Sequence, residues 1–311
     1  MARKLISAMA ASIAVLAPSA AGAHELPLGD GRVSSSPQAG QVYSCQQRFN
    51  PNAPGAQASG EWLDEARGTW DPDKKPTVDG NVRWPGAVNI SLQGDSRVIR
   101  ANGLPTTHGT GTFPVSRSDD AWRYDRNPNS IMSQDILLTL PAVPQVARTS
   151  SCVPMGMIGF TVTGTALFNA LDARGDDAPA HEIQDSCNGH PERDGVYHFH
   201  NYSGCFDDTR SGPNGASDLI GYALDGFGIY GMYENGRKLT NADLDACHGR
   251  TSTVLWDGKP REIYHYVFTE EYPYTIGCFR GQVAQTAGRF MNDDRPPLRR
   301  TGMRPPRPRF N

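Results

Sequence analysis

Beyond residue 23 the chain has no run of about 18 uninterrupted apolar residues, so it offers no segment that would span a bilayer as a helix. Nor does any stretch keep a clean 3.6-residue apolar period beyond about a dozen residues, which excludes long amphipathic helices. Only 38% of the 311 residues are hydrophobic, while glycine (33) and proline (24), which break helices, are plentiful. Familiar catalytic signatures are missing too. There is no G-x-S-x-G elbow, Walker loop or H-E-x-x-H motif, which sets aside the commonest hydrolase, nucleotide-binding and zincin chemistries. With a net charge of −3 there is no basic excess, and no nucleic-acid partner is expected.

What the chain does contain is short β-branched or aromatic runs bounded by Gly, Asn, Asp or Pro: Ala87–Leu92, Arg97–Ala101, Ile136–Leu140, Ile158–Val162 and Ile263–Phe268. These predict a mostly β fold, a sandwich or barrel-like domain with long loops and few short helices. The first 23 residues read as a signal peptide. Arg3 and Lys4 are followed by an apolar run from Leu5 to Ala17 and an A-x-A site at Ala21–Ala23. Its removal takes two positive charges and shifts the net charge from −3 to −5. The protein is thus expected to be extracytoplasmic, periplasmic or secreted. Six cysteines then predict a disulfide framework. The pairing we favour is Cys187–Cys205 and Cys247–Cys278, with Cys45–Cys152 as the remainder.

Composition divides the rest into a loosely structured lead-in (24–60), a β-rich N-terminal subdomain (61–150), a histidine-rich subdomain (151–290) and an Arg/Pro tail (291–311). The tail is expected to stay unfolded, and an anionic partner would suit its charge.

Chemistry concentrates between Asp185 and Cys205, where three of the eight histidines and two of the six cysteines share 21 residues. Tyr197-His198-Phe199-His200 reads as a strand, and alternation puts His198 and His200 on one face. His190, across a glycine-containing turn, can return as a third ligand. Three imidazoles suit a transition metal, zinc or copper first, and leave a coordination position open. Glu182 is a candidate general base; Asp225, in an apolar run, either caps a tight turn or reaches the site as a second candidate catalytic carboxylate, and Asp185, Asp194 and Asp225 could orient ligand imidazoles. The alternative is that the histidines are hydrogen-bonded core residues.

The order of the motif recurs downstream. Asp185, Cys187, Gly189, Tyr197, His198 and Cys205 are echoed by Asp245, Cys247, Gly249, Tyr264, His265 and Cys278. Either a unit is duplicated, or two strands face a common centre. In the second case His265 joins His198 and His200. His24 would become the mature N-terminus after cleavage at Ala23, where amine and imidazole can chelate copper.

The D-x-C-x-G-H-P and Y-H-x-H runs, Leu219–Gly231, the L-D-A-C-H-G and Y-H-Y motifs and Pro273–Gly281 together resemble the YHYH-domain family of exported proteins. The resemblance extends over about residues 97–281. It implies an extracytoplasmic domain with a metal site and no established reaction. The chain departs from the family pattern at Phe199 and at Arg250, Ser252 and Val267, so one composite site is expected rather than two. Three readings follow: a metal-dependent enzyme acting on an unidentified small molecule or polymer, a metal-binding or carrier module, and a cell-surface interaction protein whose histidines are structural.

Overall fold

In the computed structural model, which describes residues 24–53, 55 and 57–284, the short β-branched runs become strands of two main sheets. The segment expected to be a signal peptide (1–23) and the Arg/Pro tail (291–311) lie outside the described residues. Val88–Gln93 (β1), Ser96–Ala101 (β2) and Ile136–Pro141 (β3) form an antiparallel three-stranded sheet. On β3 the buried Ile136, Leu138 and Leu140 alternate with less buried neighbours, the two-residue period of a half-covered strand. Among the described residues helix is scarce, as the glycine and proline content predicts: one α-helical turn, Ala178–His181, and a few 3-10 turns. No helix among the described residues is long and apolar enough to cross a membrane.

The larger sheet has eight strands: Met157–Thr161 (β4), Ala166–Phe168 (β5), Gly189–Pro191 (β6), Tyr197–Phe199 (β7), Leu219–Ala223 (β8), Gly228–Tyr230 (β9), Gly249–Trp256 (β10) and Lys259–Val267 (β11). Their order across the sheet is β6-β7-β5-β4-β8-β9-β11-β10. β6 and β10 remain as edges, so the sheet is open and not a closed barrel.

That order is a palindrome. β4, β5, β6 and β7 correspond to β8, β9, β10 and β11 about an approximate two-fold axis at the β4–β8 seam, where Phe160 pairs with Tyr222. The registers agree on both sides. Leu167 pairs with Gly159 and Phe199, and Ile229 with Gly221 and Tyr266. Even the irregularities match, since β4–β5 skips Ile158 and β8–β9 skips Ile220. The echo in the sequence is a duplicated unit.

The small sheet is fastened to the large one by Arg97. Its guanidinium lies 4.4 Å from the Tyr222 ring and 5.1 Å from the Trp256 ring, and 3.0 Å from the Asp257 carboxylate. Three disulfides close the framework: Cys45–Cys152, Cys187–Cys205 and Cys247–Cys278, the pairing expected from the sequence. They fit an oxidising environment.

The lead-in has little regular structure but is packed along the fold. Leu26–Pro27 pairs with Thr69–Trp70, and the Tyr43 amide donates to the Gly277 carbonyl. Asp177, fully buried, accepts hydrogen bonds from the Gly29 amide and the Tyr274 hydroxyl, both at 2.8 Å. Low composition-based order is overridden here by tertiary partners.

Two predictions follow from these joints. Arg97→Met should cost about 2–3 kcal/mol in urea denaturation, through loss of the cation–π sandwich and its ion pair. Burial pushes the Asp177 carboxyl up to about 7, above its ordinary 3.8, so the folded chain binds that proton more tightly than the unfolded one. Its contribution favours folding below pH about 4 and is lost as pH rises through 7. Asp177→Asn should therefore flatten that part of the stability–pH curve measured by thermal unfolding.

Candidate metal centre

The hairpin β6–β7 sets the site, and a buried carboxylate sets the hairpin. Asp185 Oδ1 accepts from the Cys187 amide (2.9 Å), the Gly189 amide (3.1 Å) and the Tyr197 hydroxyl (3.1 Å), while Oδ2 accepts from the Gly111 amide (2.8 Å). Tyr197 can reach back only because residue 189 is glycine: a Cβ there would sit 2.2 Å from the tyrosine hydroxyl. Asn188 takes the left-handed conformation (φ 61°) that turns the chain into β6, one that asparagine tolerates well. The Cys187–Cys205 disulfide ties the turn to the segment beyond β7.

Within the hairpin His190 is directly opposite His198, so both rings leave the same face. His200, two residues on, shares that face by alternation. Ring centroids are 4.5 Å apart for His190–His198 and 4.8 Å for His198–His200. One ligand-type nitrogen from each of the three histidines lies within 4.8 Å of the others, and all three residues are buried. Phe168 of β5 stacks on His198 at 3.9 Å, and Tyr197 and Phe199 fill the opposite face against His108.

The protonation pattern follows from the acceptors. His198 Nδ1 donates to the Val196 carbonyl (3.0 Å), and His200 Nδ1 donates to the Asn169 carbonyl. A carbonyl can only accept, so each proton sits on Nδ1 and each Nε2 presents a lone pair. Those two lone-pair nitrogens face each other at 3.0 Å. Burial, reinforced by the neighbouring His190 and His200, holds His198 well below its ordinary pKa, so an extra proton there is disfavoured.

Glu182 completes the group. It follows the helical turn, and its Oε2 lies 3.3 Å from His190 Nε2 and 3.2 Å from His200 Nε2. Burial opposes its ionisation, but His190 and His200 outweigh burial and carry the carboxyl well below the usual range. Burial likewise opposes charging His190, and Glu182 outweighs it and raises the pKa. Glu182 Oε2 and both ring nitrogens of His190 are buried without a hydrogen-bond partner of sound geometry. Donor separations of 3.0–3.3 Å are what about 2.1 Å bonds to one four-coordinate ion require, roughly 3.4 Å between donors. These three separations, with the imidazole nitrogens all within 4.8 Å of one another, leave the histidine triad able to hold a metal ion with the carboxylate beside it.

Two expected members lie elsewhere. His265 is on β11, five strands from β7, or roughly 24 Å at the usual interstrand spacing. It belongs to the second unit, with its Nδ1 bound to the Ile263 carbonyl and its ring edge-on to Tyr230. Asp225 sits in the β8–β9 turn, where Oδ2 accepts from the Tyr266 hydroxyl (2.6 Å) and the Gly281 amide (2.8 Å). Its surroundings are those of a buried turn carboxylate, not of a group facing the imidazoles. The Asp185 carboxylate likewise holds backbone, and the second nitrogens of His198 and His200 go to carbonyls. Asp194 is at the exposed hairpin turn. His24 lies between Asp73 (3.6 Å) and Glu270 (3.7 Å). Phe168 and the Asn169 carbonyl were invisible to motif reading.

Fold and site together define a disulfide-bonded β protein with a buried histidine cluster inside a duplicated sheet. Residues 137–239 match the family model described as YHYH protein. That segment, about a third of the chain, is similar to the family and carries Glu182, His190, His198 and His200 but not His265. Neither the curated proteins nor the solved structures compared with the chain yield a match.

If Asp185 fixes this geometry, Asp185→Ala strands four donors and should cost about 3–5 kcal/mol in chemical denaturation. The equivalent Asp245→Ala should cost clearly less, because Asp245 is solvent-exposed.

Proposed function

We propose that this is an exported metal-binding protein that holds one transition ion, zinc or copper foremost, on His190, His198, His200 and Glu182. The observation that carries the reading is the pair of unprotonated Nε2 atoms facing each other at 3.0 Å in a buried site. Two lone pairs so placed repel unless a cation lies between them and their neighbours. The adjacent carboxylate without a hydrogen-bond partner supplies negative charge for the same cation. Four protein donors, with imidazoles almost fully shielded, favour an ion held as a resident structural or carried species. Export fits the signal-like segment 1–23 and the disulfides.

A catalytic reading is favoured by one feature: the Glu182 side chain is 15% exposed, whereas those of His190 and His200 are 6% and 4%. In that reading Glu182 is a general base at the rim, not a ligand.

Elemental analysis of purified protein separates these readings. Wild type should carry about one metal equivalent, and His198→Ala/His200→Ala less than about a tenth of that. Glu182→Gln should weaken metal retention about tenfold or more if the carboxylate is a ligand. Unchanged retention in Glu182→Gln would make it the nearby base. Equal metal content in wild type and the double-alanine chain would leave the histidines as core residues.

A further inference from the structure

We propose that the second unit contains a counterpart of the histidine cage in which the Arg250 guanidinium takes the place of the metal ion. The chain then binds one ion although its architecture builds the cage twice. The proposal rests on the metal reading of the first unit only for what the cage originally held.

The correspondence is residue by residue. Gly249 pairs with Tyr266 and Arg250 with His265, as Gly189 pairs with Phe199 and His190 with His198. Asp245 Oδ1 accepts from the Cys247 amide (2.9 Å), the Gly249 amide (3.1 Å) and the Tyr264 hydroxyl (3.1 Å), the same three partners as Asp185 Oδ1 at matching distances. A Cβ at Gly249 would lie 2.3 Å from the Tyr264 hydroxyl, repeating the Gly189 constraint. His248 takes the left-handed turn (φ 69°) that Asn188 takes in the first unit. His265 Nδ1 donates to Ile263, two residues back, at 3.0 Å, as His198 Nδ1 does to Val196, so its proton is fixed on the same nitrogen. Tyr230 covers His265 where Phe168 covers His198.

The differences lie in the charged groups and in the number of imidazoles. A shielded carboxylate is present in both: Glu182 with 15% and Glu234 with 13% of its side chain exposed. Opposite Glu182 stands the His190 ring; opposite Glu234, at 3.0 Å, stands the Arg250 guanidinium. Val267 occupies the position equivalent to His200. Where the first unit gathers three imidazoles and an anion, the second gathers one imidazole, an anion and a permanent cation. Arginine keeps its charge at any physiological pH, so this carboxylate is neutralised without an ion from solution. His265 senses both groups. Burial pushes it down to about 4 against the Ile263 hydrogen bond and the pull of Glu234, and the Arg250 charge adds a smaller push in the same direction as burial.

The test uses the chain with the first site removed, His198→Ala/His200→Ala, so that its outcome does not depend on whether that site binds metal. Adding Arg250→His/Val267→His should restore about one tightly bound zinc per chain, at least tenfold tighter than in the parent. A chain that is folded by circular dichroism, with all three disulfides closed, and still takes up no zinc overturns the proposal. If the buried Val267 replacement prevents folding, Arg250→His alone keeps Val267 and still unites His265 and Glu234 with a new imidazole. Zinc should then raise its thermal midpoint, and adding Glu234→Gln should abolish the rise. No zinc-dependent rise in Arg250→His overturns the proposal equally.

Discussion

A carboxylate with nowhere to go but into hydrogen bonds organises this protein. Asp185 is fully buried, and the three amides and one hydroxyl that solvate it come from the β2–β3 loop, the turn and the far strand of the hairpin. Burying an unsolvated carboxylate is prohibitive, so these four donors are held wherever the fold places Asp185. The price of that satisfaction is a glycine at 189 and a tyrosine at 197, and once both are fixed the register of β6 against β7 follows. His190 then faces His198 with no further instruction.

From that register the electrostatics of the cage descend. Carbonyl acceptors at Val196 and Asn169 claim the Nδ1 protons, which leaves inward-facing nitrogens bare. Glu182 enters from the helical turn and adds the only formal negative charge among the four donors. The second unit repeats the carboxylate, glycine and tyrosine but answers its own Glu234 with Arg250. One scaffold thus carries two solutions to the same buried anion.

Part of this was legible in the chain itself. The Y-H-F-H run and His190 gave the cluster because alternation along a strand is a local rule, and Glu182 stood out as an acid just upstream. The downstream echo was also visible, but its meaning was not. Like motifs can face one another or sit apart, and only strand order separates those cases. Asp225 stayed ambiguous for a related reason. An acid in an apolar run signals burial, and burial near a glycine turn is satisfied as well by Tyr266 and Gly281 as by any catalytic partner. The lead-in erred in the other direction: its composition lacks a core of its own, and it borrows one from residues far along the chain.

The sequence by itself determined the strand-rich character, an even set of cysteines free to pair, and the three imidazoles on one hairpin face, because each depends on periodicity or on counting. Tertiary structure alone decided that the sheet is an open palindrome, that His265 lies across it from the cage, and that Glu182 and the Asn169 carbonyl close around the imidazoles. Those outcomes hang on which strands lie side by side, and that is set by the summed packing of both units, a quantity no local pattern encodes.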